Sequence, residues 1–181
     1  MREIALHIMD IAENGIGAGA DCIHIIVNEA ITENQLKIEI RDNGRGIPGN
    51  MLDKVTDPFV TSRTTRKVGL GLSLLEVAAQ RCEGDFAISS EPGKGTSITA
   101  SFQYDHIDRS PVGDMASSVS LLIAGNPDTD FVYTHIVDGK DFILDTRELK
   151  KQGDISLTDP SIILHLTKNI RKALLEVRSE K

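Results

Sequence analysis

Asp42-Asn43-Gly44-Arg45-Gly46-Ile47-Pro48 sets one carboxylate directly ahead of two glycines separated by a single residue. A buried Asp at a strand end can accept a hydrogen bond from an exocyclic amine. Glycines lack a Cβ, so the backbone around them can approach a flat ring closely. The same Asp-Asn-Gly string is also a common turn signal, and taken alone it leaves both readings open. Three other short strings bear on the choice. They are Asp10-x-x-x-Asn14, Gly69-x-Gly71 and Gly93-x-Gly95-Thr96.

The elements that must position these residues are legible from periodicity. Arg2 to about Ile16 predicts a helix whose apolar face carries Ile4, Ala5, Ile8, Met9, Ile11 and Ala12. Glu3, His7, Asp10 and Asn14 form one polar stripe along it, and Gly15, Gly17 and Gly19 are expected to end it. Cys22–Val27 and Leu36–Arg41 predict two strands joined by the polar stretch 32–35. A short helix is expected within 47–55. The segment from Asp57 to Val68 is rich in hydroxyls and carries Arg63, Arg66 and Lys67, which predicts a loop. Gly69 then opens a helix to about Arg81. Strands follow at 85–90 and 96–104, around a turn at 91–95.

The pattern breaks near Asp105–Asp114, which divides the chain into an expected domain at 1–104 and an extension at 105–181. In the extension, Ser110-Pro111 predicts a helix start, with Ser as cap and Pro in the first turn. Asp138-Gly139 predicts a hairpin between strands at 131–137 and 141–145. Asp159-Pro160 opens a last helix, striped by Ile162, Ile163, Leu166, Ile170, Leu174 and Val177. This hairpin and helix would complete the core sheet, form a dimer or bind a client.

The 181 residues suffice for a substantial core. The net charge of −7 argues against nonspecific binding to nucleic acid or anionic membrane. Cys22 and Cys82 have no metal-type spacing and read as small core residues in a reducing compartment. No signal peptide and no run near the ~20 apolar residues of a membrane span is visible. A cytoplasmic location is expected.

Together, in order and spacing, the four strings resemble the N, G1, G2 and G3 boxes of the GHKL superfamily of gyrase, heat-shock chaperone, histidine kinase and MutL-type ATPases. The resemblance covers about residues 1–104. The first box, DIAENGIGAGA, is most similar to the MutL type, and PFVTSRTTRKVGLGLSL to the sensor histidine kinases. It implies an α/β two-layer sandwich, the Bergerat ATP-binding fold, with a mixed or antiparallel sheet and helices on one face. It also implies ATP and Mg²⁺ as ligands.

By this resemblance Asn14 would bind Mg²⁺ through its amide oxygen, in keeping with that ion's preference for oxygen ligands. Asp10 would orient or deprotonate the attacking group. The superfamily usually has Glu there, and a misplacement of ~1 Å can cost ~10²-fold in rate, so fast hydrolysis is not implied. Glu13 is expected to point away from the face of Asn14. Asp42 would accept the adenine amine, with Gly44, Gly46 and Ile47 close to the ring. Thr96 would support the base through a water or the Asp42 carboxylate. Gly69, Leu70, Gly71 and Leu72 would present a helix N-terminus to the phosphates. Arg63, with Thr61 and Lys67 beside it, would reach the γ-phosphate. His7 is expected to line the entrance of the site, and the other histidines to be surface or satisfied core residues.

The function so implied is transfer of the ATP γ-phosphate to a His or Ser of a partner protein in trans. Only six residues precede His7, too few for a phosphoacceptor domain in cis. A nucleotide switch with little turnover and a MutL-type ATPase are the alternatives. The partners to expect are an unidentified protein substrate or client and a second copy of the chain.

Overall fold

The structure, a computed structural model, describes residues 3–55, 70–151, 153 and 156–179. Thr61, Arg63, Arg66, Lys67 and Gly69 lie outside the described residues, as does the side chain of Leu70.

Helix α1 (Ile4–Gly17) is followed by strands β1 (Cys22–Ala30) and β2 (Gln35–Asp42), joined by a single 3₁₀ turn. Then come α2 (Gly49–Val55), α3 (Leu70–Arg81), β3 (Phe86–Glu91) and β4 (Gly95–Gln103). The C-terminal part adds α4 (Met115–Gly125), β5 (Asp130–Val137), β6 (Lys140–Asp145), α5 (Thr146–Lys151) and α6 (Pro160–Ser179).

All six strands form one sheet in the order β3-β4-β2-β1-β5-β6. Every neighbouring pair is antiparallel except β1 and β5, which run parallel from Cys22↔Asp130 to Glu29↔Val137. The sheet is therefore mixed, and the hairpin of the extension completes it. Ile23, Ile25 and Val27 on β1, Leu36, Ile38 and Ile40 on β2, and Ile98, Ala100 and Phe102 on β4 are buried at alternate positions. They share one cluster with residues of α1, α3, α4 and α6, which places these helices on a single face of the sheet. Full burial of each of these side chains other than Ala100 is worth about 1.5–3 kcal/mol. The opposite face carries Lys37, Glu39, Arg41, Ser97, Thr99 and Ser101, none of them buried.

Three local expectations are corrected. Helix α4 starts at Met115, not after Ser110-Pro111, and its cap is Asp114, which accepts the Ser117 N–H at 3.0 Å. The backbone at 111–112 has another use. The carbonyls of Pro111 and Val112 accept the N–H groups of Ile4 and Ala5 at 3.0 and 2.8 Å. These are orphan donors of the α1 N-terminus, and Glu3 offers no side-chain cap. Second, α1 continues through Gly15 to Gly17. Third, a short helix, α5, follows β6 directly.

At the far end of β1, a buried polar cluster joins β1, β5, α6 and the turn that follows β4. Glu29 receives His135 at 2.6 Å, the Tyr104 hydroxyl at 3.0 Å, and the Arg178 guanidinium. The Tyr133 hydroxyl lies 2.6 Å from Nδ1 of His135. Burial pushes the Tyr133 phenol far up. The phenol therefore stays protonated beside Nδ1, while Nε2 of His135 faces Glu29.

Candidate functional site

A cleft of about 460 Å³ opens between α1 and the ends of β2 and β4 that lie away from the Glu29 cluster. Asp10, Asn14, Asp42, Gly46, Ile47, Leu72 and Thr96 all line it. Sequence separation of up to 86 positions is closed by three things: α1 crossing the sheet, the β2–β4 pairing, and the start of α3.

One end of the cleft is set by register. Asp42, Thr96 and Ser90 lie in one transverse row, because Asp42 pairs with Thr96 across β2–β4 and Thr96 pairs with Ser90 across β4–β3. Asp42 Oδ1 accepts the Gly44 N–H at 2.9 Å. Burial pushes its carboxyl above the ordinary carboxylate range, and the backbone N–H groups of Gly44 and Thr96 oppose that rise. Asp42 thus has lone pairs to offer a donor entering the cleft. It packs against α1 at Gly15, where a Cβ would stand 2.9 Å from Asp42 Cβ. This explains a glycine inside the helix despite its cost of about 1 kcal/mol there.

The loop after Asp42 is pinned on both sides. Arg45 N–H donates to the Ala18 carbonyl at 3.0 Å, and Arg45 O accepts from Gly93 N–H at 2.8 Å. Gly46 has φ +68°, and a Cβ there would overlap the Glu91 carbonyl, so this position requires glycine on both counts. Asn43 acts away from the cleft: its Oδ1 accepts the N–H groups of Asp21 and Cys22, both at 2.9 Å.

Ser90 is the residue that sequence reasoning missed. Its Oγ accepts the Ile47 N–H at 2.8 Å, donates to the Gly95 carbonyl at 2.8 Å, and lies 2.9 Å from Thr96 Oγ1. With its own proton directed to Gly95, Ser90 must accept from Thr96. The Thr96 hydroxyl is thus committed to Ser90. Arg45, Ile98 and Ala18 also line the cleft without a sequence signal.

The other end of the cleft belongs to α1 and α3. Asp10 and Asn14 are half-buried and one turn apart on α1. Gly71 is buried, and a Cβ there would overlap Asp10 Oδ2. The carboxylate is therefore seated against the first turn of α3, with the amide oxygen of Asn14 one turn along. This donor set, all oxygen, suits a hard divalent cation. Glu13 was expected to point away but is exposed and reaches the rim of the cleft. His7 does not line the cleft; it is 4% exposed and lines a separate cavity with Arg81, Asp108 and Ser110. Among the described residues no group of three or more His, Cys, Asp or Glu could hold a metal ion, and no helix is long and apolar enough to cross a membrane.

Several proteins are similar to this chain. Over 80 residues the chain is 34% identical to sensor histidine kinase YxdK of Bacillus subtilis, a match covering 42% of this chain and 25% of that one. It is 32% identical over 92 residues to sporulation kinase D of Bacillus subtilis, covering 51% and 18%. It is 32% identical over 80 residues to sensor histidine kinase RcsC of Escherichia coli K12, covering 41% and 8%. The match thus spans a quarter or less of these kinases. Two solved structures share the fold. One is the N-terminal domain of a DNA repair protein, with a TM-score of 0.59 and 17% identity, covering 80% of this chain and 53% of that one. The other is the MutL ATPase domain of Aquifex aeolicus complexed with ADP, with a TM-score of 0.50 and 10% identity, covering 93% and 70%. The model of the histidine kinase-, DNA gyrase B- and HSP90-like ATPases matches residues 2–106, and the chain belongs to that family.

Proposed function

We propose that this protein binds ATP with Mg²⁺ in the cleft and transfers the γ-phosphoryl group to a side chain of a partner protein. The observation that carries the reading is the half-buried Asp42 carboxylate, which faces one end of a cleft whose other end presents Asp10 and Asn14.

In this reading Asp42 accepts the exocyclic amine, a base that displays a carbonyl at that position being left unpaired and rejected. Gly46 and Ile47 flank the ring. Asn14 holds the cation through its amide oxygen, with Asp10 one turn away. The cation supplies charge neutralisation between phosphate oxygens when bound. Asp10 orients the acceptor and takes its proton as the new bond to phosphorus forms and ADP departs. Arg63, Thr61, Lys67 and Gly69 remain the candidates for the γ-phosphate side. The acidic balance of the chain favours a protein over a nucleic acid as partner, and a cytoplasmic setting and a homodimer stay part of the proposal.

The seating of Asp10 against Gly71 favours a second reading, a nucleotide switch with slow turnover. A carboxylate held by packing has little freedom to follow an acceptor. One assay separates these readings. The protein is incubated with γ-labelled ATP and Mg²⁺, with and without cell extract and with and without DNA. Label on another protein supports the kinase. Nucleotide-dependent protection from proteolysis without transfer or free phosphate supports the switch. Phosphate release that needs DNA supports a MutL-type ATPase. ATP binding itself is checked by calorimetry: Asp42→Asn lowers affinity roughly 10- to 100-fold, as for loss of a charged hydrogen bond. Wild-type protein that fails to bind ATP at millimolar concentration sinks all three.

A further inference from the structure

A second cavity, of about 180 Å³, lies between the start of α1, one face of α3 and the connection from β4 to α4. Among the described residues it shares no lining residue with the cleft. Its wall is apolar. Ile4 and Phe102 are buried there, while Leu74 and Val77 stay 42% and 48% exposed. Arg81, one turn beyond Val77 on the same face of α3, brings a guanidinium to it, and Asp108 brings a carboxylate. The other described arginines are mostly engaged. Arg41, Arg147, Arg171 and Arg178 pair with carboxylates, and Arg109 donates to two backbone carbonyls. Among the described residues only the side chains of Arg45 and Arg81 make no hydrogen bond or ion pair, and each lines a cavity. Arg81 and Asp108 do not pair with each other, yet both bear on the Cys82 thiol, which lines the same cavity. Burial pushes that thiol up, Asp108 adds to the rise and Arg81 opposes it.

We propose that this cavity binds a free α-amino acid with an apolar side chain. The ligand carboxylate meets Arg81, whose planar fork suits it. The ligand ammonium meets Asp108, and the side chain lies against Leu74, Val77 and Phe102. An apolar pocket with a few charged groups that fix orientation is the usual form of a small-molecule site. The two unpaired charges select the ligand class. A simple anion is opposed by Asp108 and a simple cation by Arg81, whereas a zwitterion satisfies both. This site goes beyond the ATP-binding reading and does not rest on it.

The test is calorimetry on the full chain with leucine, methionine and phenylalanine as probes. Isocaproate, which is leucine without its ammonium, and isoamylamine, which is leucine without its carboxylate, serve as controls. At least one of the three amino acids is expected to bind saturably, and each control about tenfold more weakly or worse, the scale of one lost charged hydrogen bond. Arg81→Gln and Asp108→Asn, both at exposed positions, are each expected to weaken amino-acid binding about tenfold at an unchanged thermal unfolding midpoint. The two variants differ in what they stop discriminating. Arg81→Gln binds isoamylamine as well as it binds the amino acid, and Asp108→Asn does the same with isocaproate. Two results overturn the proposal: no saturable binding of any of the three amino acids at millimolar concentration, or binding that neither substitution alters, which would place the ligand elsewhere.

Discussion

Arg178, in the last turn of α6, donates a hydrogen bond to Glu29 on the inner face of β1, across a separation of 149 positions. Glu29 is 2% exposed, while the Arg178 side chain is 46% exposed. One partner is thus desolvated and the other still wet. Removing Arg178 leaves Glu29 with His135 and Tyr104 only. Breaking a fully buried pair costs about 3–5 kcal/mol, and the exposure of Arg178 scales that down. Arg178→Ala is expected to lower stability by about 1–2 kcal/mol, read from the urea midpoint at unchanged m-value. A midpoint identical to wild type would show that α6 is held by its apolar stripe alone.

The same cluster predicts the acid response. Burial alone would raise the Glu29 carboxyl, but its hydrogen bonds to His135 and Arg178 and their charges reverse that and hold it down at about 2, against an ordinary value of 4.5. A carboxyl depressed by folding contributes its stability fully above its unfolded pKa. That contribution is lost as pH falls from about 4.5 towards 2, and amounts to about 3 kcal/mol. Urea unfolding at pH 6, 4 and 3 should show the loss in wild type and a flatter profile in Glu29→Gln. Parallel profiles would remove Glu29 from the account.

At the α1–α3 end of the cleft, Asp10→Asn keeps size and seat but removes the charge and the proton acceptor. Turnover of γ-labelled ATP, however slow in wild type, should fall by about 10²-fold or more, while ATP affinity stays within about threefold. A variant that turns over ATP at the wild-type rate would exclude Asp10 from the chemistry.

Gly71→Ala tests the contact between the helices. The new methyl overlaps Asp10 Oδ2, so either the carboxylate or the α3 turn must shift. ATP affinity is expected to drop roughly tenfold, with a stability cost of about 1–3 kcal/mol typical of overpacking. Because alanine otherwise favours a helix, a more stable variant with full affinity would mean that the contact is loose.

Much of the site was legible because its residues carry local signals. Asp42 and Gly46 sit in a turn string, and Asp10 and Asn14 keep helical spacing. Asp138-Gly139 shows the positive φ values of a tight hairpin turn, 45° and 87°. Ser90 gave no signal, since an unremarkable serine becomes a site residue only through its register opposite Thr96. Ser110-Pro111 misled for the opposite reason. It looks like a helix start, but tertiary demand from the open N-terminus of α1 takes that backbone instead. Glu29, His135 and Arg178 were opaque because the reason for each lies in a strand or helix distant in sequence.

The parallel pairing of β1 with β5 reaches beyond the family match, which ends at residue 106. A fragment stopping there would leave β1 as an unprotected edge from Cys22 to Glu29, presenting free N–H and C=O groups to any passing strand. Such an edge is a template for pairing with a second molecule, by strand exchange or aggregation. The C-terminal hairpin covers that edge, so β5 takes the pairing that β1 would otherwise offer to a second molecule.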